Sequence, residues 1–280
     1  MRKKVVSPES RRAVVLRVVN LKICSKRRAC RFIRLPRSSF YYRSLSPSAE
    51  HNQLLERMRF LSQKHERYGY RRIAALLRRE GFNVGKRQIQ KLRRAEGLRV
   101  PETRKKTVRR GISTGLPTKA SRRGHVWTWD FIADFTQRGG SVKILTILDE
   151  YTKECHVLRP ERMIKSGDVL EWLQKAIDKN GAPKYLRSDN GSEFIANIVQ
   201  DYFENHGIKT IYIDPGSPWQ NGFVESFHSR FRDECLNREF LWTLTETQVV
   251  VETWRCEYNE RRPHNRLGFL SPAQVVASLN

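Results

Sequence analysis

Apolar positions recur at helical spacing from residue 7 to about residue 100 and alternate at strand spacing from residue 126, so the chain divides by period. Ser7 followed by Pro8 and Glu9 predicts a helix start, with Ser7 as N-cap and Pro8 at the first helical position. Val14, Val15, Val18 and Val19 then form a stripe. A second start at Ser25 leads into Ala29, Cys30, Phe32 and Ile33, and Pro36 opens a short third helix from Arg37. After a Ser- and Pro-rich linker at residues 44–49, Leu54, Leu55, Met58 and Leu61 predict a helix, and Ile73, Ala74, Leu76 and Leu77 another. Val84 to Leu92 predicts a third, whose exposed face and trailing end carry Lys86, Arg87, Gln90, Lys91, Arg93 and Arg94; Gly81 and Gly97 mark ends. Strands are expected at 126–135, 142–149 and 155–159. A helix at 167–179, a strand ending at Asp189, a helix at 192–206 and a strand at 208–213 should follow. Phe223, Phe227 and Phe231 read as one buried stripe of a further helix, and Val249, Val250, Trp254 and Tyr258 as that of the next. Three strands in a meander followed by alternating helix and strand make a mixed sheet with helices on both faces, an α/β fold behind all-α modules.

Charge sharpens this division. Residues 1–124 hold 36 Lys and Arg against 7 Asp and Glu, whereas residues 125–280 hold 18 against 22, so the net charge of +25 lies in the helical half. A basic front half is built for a polyanion. No run of about 18 apolar residues offers a membrane span and no leader is visible, so nucleic acid is the expected partner, no membrane is expected, and a cytoplasmic, nucleoid-associated location follows. Cys24, Cys30, Cys155, Cys235 and Cys256 are odd in number and widely spaced, which argues against a disulfide framework and a zinc finger. The expected organisation is a basic helix-turn-helix-like segment at 1–46, a second helical DNA-binding module at 47–100, a basic linker at 101–124 and an α/β domain at 125–280. The front unit reads either as a helix-turn-helix reader carrying Arg37 or as a small packing unit with a solvated basic face.

Three carboxylates supply the candidate chemistry. Asp189 closes a strand and precedes the turn pair Asn190-Gly191, at the strand end where α/β sheets place chemistry. Glu225 comes from a helix, and Asp130 from the alternating run that starts at Val126. Phosphodiester chemistry suits such a set, because two Mg²⁺ ions about 3.5–4 Å apart can stabilise both the attacking and the leaving oxygen. Hard oxygen ligands fit Mg²⁺, which keeps several waters. Asp134 shares Asp130's strand face, but four residues at about 3.3 Å each keep the two from one metal pair. Arg232, seven residues beyond Glu225, returns to the same helix face and is a candidate phosphate clamp.

Asp130 directly after Trp127-Thr-Trp, Asp189 within Ser-Asp-Asn-Gly-Ser-Glu-Phe, Glu225 after 35 intervening residues and Arg232 seven further on resemble the DDE transposase and retroviral-type integrase core. More narrowly, Arg28-Ala-Cys-Arg-Phe, Tyr68-Gly-Tyr-Arg-Arg-Ile and Tyr258-Asn-Glu-Arg-Arg-Pro-His-Asn-Arg-Leu-Gly resemble the second-reading-frame transposase of bacterial insertion sequences. The resemblance covers nearly the whole chain. It implies a ribonuclease-H-like catalytic core, with Asp130, Asp189 and Glu225 as catalytic and metal-binding residues. It also implies two Mg²⁺ ions, replaceable by Mn²⁺, and nicking and strand transfer on double-stranded DNA at element ends and target. A homo-oligomer on DNA and an upstream-frame protein or fusion partner belong to the same implication. Arg232, Arg37, Lys86, Arg87, Lys91 and Arg94 are the DNA-binding candidates. The rival reading is a DNA-binding regulator on an inactive nuclease-like core; a simple ribonuclease-H-type nuclease would have no use for sequence-reading arms.

Overall fold

The helical front and the strand-rich rear are both present in the computed structural model, which describes residues 7–42, 49–100, 119–188, 197–213 and 221–279. Most of the linker at 44–49, most of the basic linker at 101–124, and Asp189 with its Asn190-Gly191 turn lie outside these. The chain divides into two units, residues 1–56 and residues 57–280.

In the first unit, α1 (Pro8–Asn20) starts as its sequence dictates, with the Ser7 hydroxyl accepting from the Ser10 backbone N–H at 3.1 Å. With α2 (Lys26–Phe32) and α3 (Arg37–Tyr41) it encloses Val15, Ala29, Cys30, Leu35 and Phe40. Phe32 departs from the predicted stripe and is 74% exposed. At 100° per residue Ala29, Cys30 and Ile33 span one sector, and Phe32 falls about 60° outside it.

In the second unit, Met58 and Leu61 of α4 (Ala49–Lys64) are buried, as are Ile73, Ala74 and Leu77 of α5 (Tyr70–Arg79) and Ile89 of α6 (Lys86–Ala95). Gly81 and Gly97 follow α5 and α6 with φ of +91° and +70°, the left-handed conformation in which a helix end favours glycine. The sheet has the order β3-β2-β1-β4-β5. Strands β1 (Val126–Phe135), β2 (Ser141–Asp149) and β3 (Cys155–Glu161) form an antiparallel meander, and β4 (Tyr185–Ser188) and β5 (Lys209–Tyr212) join β1 in parallel.

Both faces of the sheet are covered. Trp127, Trp129, Leu145 and Ile147 pack with α7 (Ser166–Asn180) and α8 (Asn197–Asn205). Ile132, Val142, Ile144 and Leu148 pack with α9 (Gly222–Phe231) and α10 (Leu244–Glu260), and α11 (Pro272–Leu279) ends the chain's described part. This is the ribonuclease-H-like arrangement. Phe227 and Phe231 are buried as predicted, whereas Phe223 stays half-buried and the Lys153 ammonium sits 3.7 Å from its ring centre. Among the described residues no helix is long and apolar enough to cross a membrane. All five cysteines are free.

Candidate active site

Strand β1 sorts its side chains by parity. Trp127 and Trp129 enter the core with α7 and α8, while Ile132, of the same parity as Thr128 and Asp130, packs towards α9. Asp130 keeps part of its side chain in solvent, and its Oδ1 accepts the Phe131 N–H at 2.7 Å. Opposite it in β2 stands the buried Thr146.

Helix α9 fastens to this face through one polar stripe. Asn221 Oδ1 accepts from the Thr128 hydroxyl at 2.8 Å, His228 Nε2 lies 3.0 Å from the Thr146 hydroxyl, and Arg232 Nη2 donates to the Ala133 carbonyl at 2.7 Å. Residues 221, 225, 228 and 232 are spaced four, three and four apart, which is one helix face. Glu225 occupies the position between the Asn221 and His228 anchors; its carboxylate is exposed, with no hydrogen bond or ion pair among the described residues. Asp130 and Glu225 therefore share one seam between sheet and helix. Asp134 lies beyond the Arg232 anchor, its Oδ1 held by the Phe135 N–H at 2.8 Å.

His228 Nδ1 stands 3.8 Å from Asp130 Oδ2, too far for a hydrogen bond. Burial, helped by the charge of Arg232, pushes its imidazole down to about 4, so at neutral pH this is not an ion pair. Arg232 also marks a change of helix type. A π-helical turn, Arg232–Leu236, follows α9, and since Arg232 itself keeps helical angles, the seven-residue return to Glu225's face survives.

Strand β4 runs beside β1 with Arg187 opposite Thr128, two residues before Asp189 and Asp130 respectively. The Arg187 side chain is 1% exposed and donates through Nε to Glu150 Oε1 at 2.7 Å. Burial raises the Glu150 carboxyl and Arg187 opposes that rise. Asp189 lies outside the described residues, and among those described no group of three or more His, Cys, Asp or Glu could share a metal.

The DNA-binding candidates are all at the surface or near it. Arg37 begins α3, exposed; Lys86, Arg87, Lys91 and Arg94 are exposed on α6, with the Lys86 ammonium 5.0 Å from the Phe269 ring centre. Arg93 corrects the sequence reading, which placed it on the exposed side. It is 5% exposed and donates to the Tyr68 carbonyl at 2.6 Å, since it follows the buried Ile89 by four residues.

A second constellation was not foreseen. Glu234, on the π turn, receives two hydrogen bonds of 2.7 Å from Arg262 and one of 3.0 Å from Arg72 of α5. Arg67 pairs with Asp233 at 3.0 Å, and Arg79 donates to the carbonyls of Arg261 and Phe269. Burial alone would raise the Glu234 carboxyl, but the two arginines more than offset it and hold it below the ordinary carboxylate range. The signal was present in the sequence only as the two phrases around Tyr68 and Tyr258, which this network joins.

An HTH-like domain model matches residues 50–107, and two integrase core domain models match residues 120–218 and 206–272. The 31.7 kDa protein of insertion element IS407 from Burkholderia multivorans is 36% identical across 90% of this chain and 91% of its own length. The 39.2 kDa protein of insertion element IS476 from Xanthomonas euvesicatoria is 34% identical across 99% of this chain and 80% of its own. The transposase for insertion sequence element IS629 from Shigella sonnei is 24% identical across 79% and 77%. Among solved structures, the HTLV-2 integrase catalytic core domain in complex with magnesium is similar at 15% identity and a TM-score of 0.42, covering 56% of this chain and 97% of that one. With these relatives along almost its whole length, the chain belongs to the DDE transposases of bacterial insertion sequences, a family of metal-dependent enzymes that act on DNA.

Proposed function

We propose that this transposase binds the ends of its element through the basic helical modules, nicks the DNA by hydrolysis and joins the freed 3′-hydroxyl to a target. The observation that carries the reading is the seam on which α9 holds Glu225 alongside Asp130 through the Asn221, His228 and Arg232 anchors. Asp130, Asp189 and Glu225 would hold two Mg²⁺ ions, or Mn²⁺ in their place, and the donor set fits because every ligand is a hard carboxylate oxygen. Bound there, the ions supply an activated oxygen nucleophile and a stabilised leaving oxygen. Arg232 gives one N–H to Ala133, and a guanidinium has five, so it retains donors for a DNA phosphate while bracing the helix. Arg37, Lys86, Arg87, Lys91 and Arg94 present cations to the duplex backbone, which makes binding steeply salt-dependent. The working assembly is an oligomer on DNA in the cytoplasm, at the nucleoid, with the upstream-frame product as partner or fusion.

The test is strand transfer with labelled DNA from the borders of the element that encodes this chain. Asp130→Ala should lower it by more than about a thousandfold, the loss of several kcal/mol of transition-state stabilisation, and Asp134→Ala should retain it. Activity in Asp130→Ala together with a dead Asp134→Ala would move the site along β1 and overturn the assignment.

A further inference from the structure

Behind α9, on the side away from the Glu225 seam, lies a half-enclosed cavity of about 660 Å³ within the second unit. Its volume is that of a small-molecule site. Two exposed arginines at its edge, Arg230 and Arg266, form no hydrogen bond or ion pair among the described residues, unlike Arg72 and Arg262 deeper in, which Glu234 neutralises. Lys153 adds a third charge and is held in a left-handed backbone conformation, φ +64°, that a lysine rarely adopts. Flat surfaces line the same space: Phe223, half-buried under Lys153, and His264, whose imidazole burial and the nearby arginines keep neutral by pushing it down to about 2.

Glu150 supplies an acceptor. It is 2% exposed, lines the cavity, and its Oε2, unlike the Oε1 that Arg187 engages, has no hydrogen-bond partner among the described residues. A buried carboxylate oxygen left unpaired costs stability unless a donor reaches it. Unneutralised cations outside, aromatic walls between and a lone acceptor within match a molecule that has a phosphate at one end and a planar ring bearing an amino group at the other.

We propose that this cavity binds one nucleotide that has left the double helix, with its phosphate on Arg230 and Arg266 and an amino-bearing base turned towards Glu150. A duplex is too broad to enter, whereas a single base stacks on aromatic side chains and offers its hydrogen-bonding edge. The cavity lies across α9 from Glu225, so a strand end unpaired near the seam is within its reach. This inference rests on the DNA-handling reading above.

Three probes test it in EDTA with the full chain, so that no catalysis is needed: a blunt duplex, and the same duplex with one unpaired cytosine or one unpaired thymine at its end. The cytosine-tailed probe should bind about tenfold more tightly than the blunt one, the discrimination expected of a good base-edge contact, with the thymine-tailed probe short of that. Arg230→Ala with Arg266→Ala should erase the gain and leave blunt-duplex affinity intact. Comparing the two bases avoids substituting Glu150, whose loss would strand Arg187 in the core. Equal binding of blunt and tailed probes, or a gain that survives the double substitution, overturns the cavity assignment alone; equal gains for both tails remove Glu150 from it. Failure of every probe to bind would bring down the DNA-handling reading as well.

Discussion

The two helical modules in the front half look alike in sequence, each three short basic helices, and differ in what holds them. The first builds its own small core around Val15 and Phe40 and leaves Leu21, Ile23 and Phe32 more than 60% exposed. Within it, the Arg11 guanidinium donates to the Arg34 carbonyl and that of Arg12 to the Ser39 carbonyl. The second sends arginines into the catalytic domain: Arg72 reaches Glu234, Arg67 reaches Asp233 and Arg79 reaches the backbone at Arg261 and Phe269. Glu234 lies two residues beyond Arg232, the last anchor of the Glu225 helix. One module is thus tied within itself among the described residues, and the other is joined by buried charge to the turn that follows Glu225's helix.

Removing one arginine from the network that holds each module tests this contrast, Arg262 from the Glu234 cluster in which Arg72 is docked and Arg12 from the first module itself. Arg262→Ala leaves Glu234 buried with only Arg72 as partner and should cost about 3–5 kcal/mol of unfolding free energy. Arg12→Ala removes one hydrogen bond to Ser39 and should cost about 1 kcal/mol. Denaturant unfolding measures both, and hydrogen exchange locates them: the first should expose amides in α5, α9 and the π turn, the second only those of α1 and α3. Equal costs, or exchange spreading to α9 in Arg12→Ala, would erase the distinction.

Acid should separate the modules next. The Glu234 carboxyl is held lower in the folded state than in the unfolded chain, so its contribution to stability is present above the unfolded value of about 4.3 and is lost as pH falls through the folded one. The first module has a single acid among its described residues, Glu9, which forms no ion pair there. Lowering the pH below about 4 should therefore loosen the docking of α5 while α1–α3 keep their exchange protection. Simultaneous loss in both would mean that charge does not distinguish them.

Much of this was legible in the sequence, for identifiable reasons. The period of two in β1 shows which of its residues share Asp130's face, and the period of 3.6 puts Arg232 on Glu225's face, whereas the Asn221 and His228 anchors on that face came only from the structure. Phe32, Arg93 and Phe223 differ from the sequence expectation because residue type points one way and angular position on the helix the other. The Arg72, Glu234 and Arg262 network was beyond reach, since its partners come from segments about 160 residues apart and no periodicity links them. The π turn was hidden too, because an extra residue in a helical turn leaves the composition unchanged.

An exposed ion pair of the second module isolates burial as the cause of the difference. Lys64 pairs with Glu257 of α10 at 2.8 Å, close to the 3.0 Å of the Arg72–Glu234 pair, and likewise ties the second module to the α/β domain. Its side chains are 39% and 37% exposed, against 21% and 6% for Arg72 and Glu234. Water and salt screen an exposed pair, and holding two long side chains together costs entropy, so its coupling should be about 0.5 kcal/mol or less. A double-mutant cycle with Lys64→Ala and Glu257→Ala measures that coupling directly, and raising the salt should shrink it further. A coupling above about 1 kcal/mol that persists in high salt would show that distance rather than burial sets the strength of these ties, and the second module would then be held by its surface as much as by Glu234.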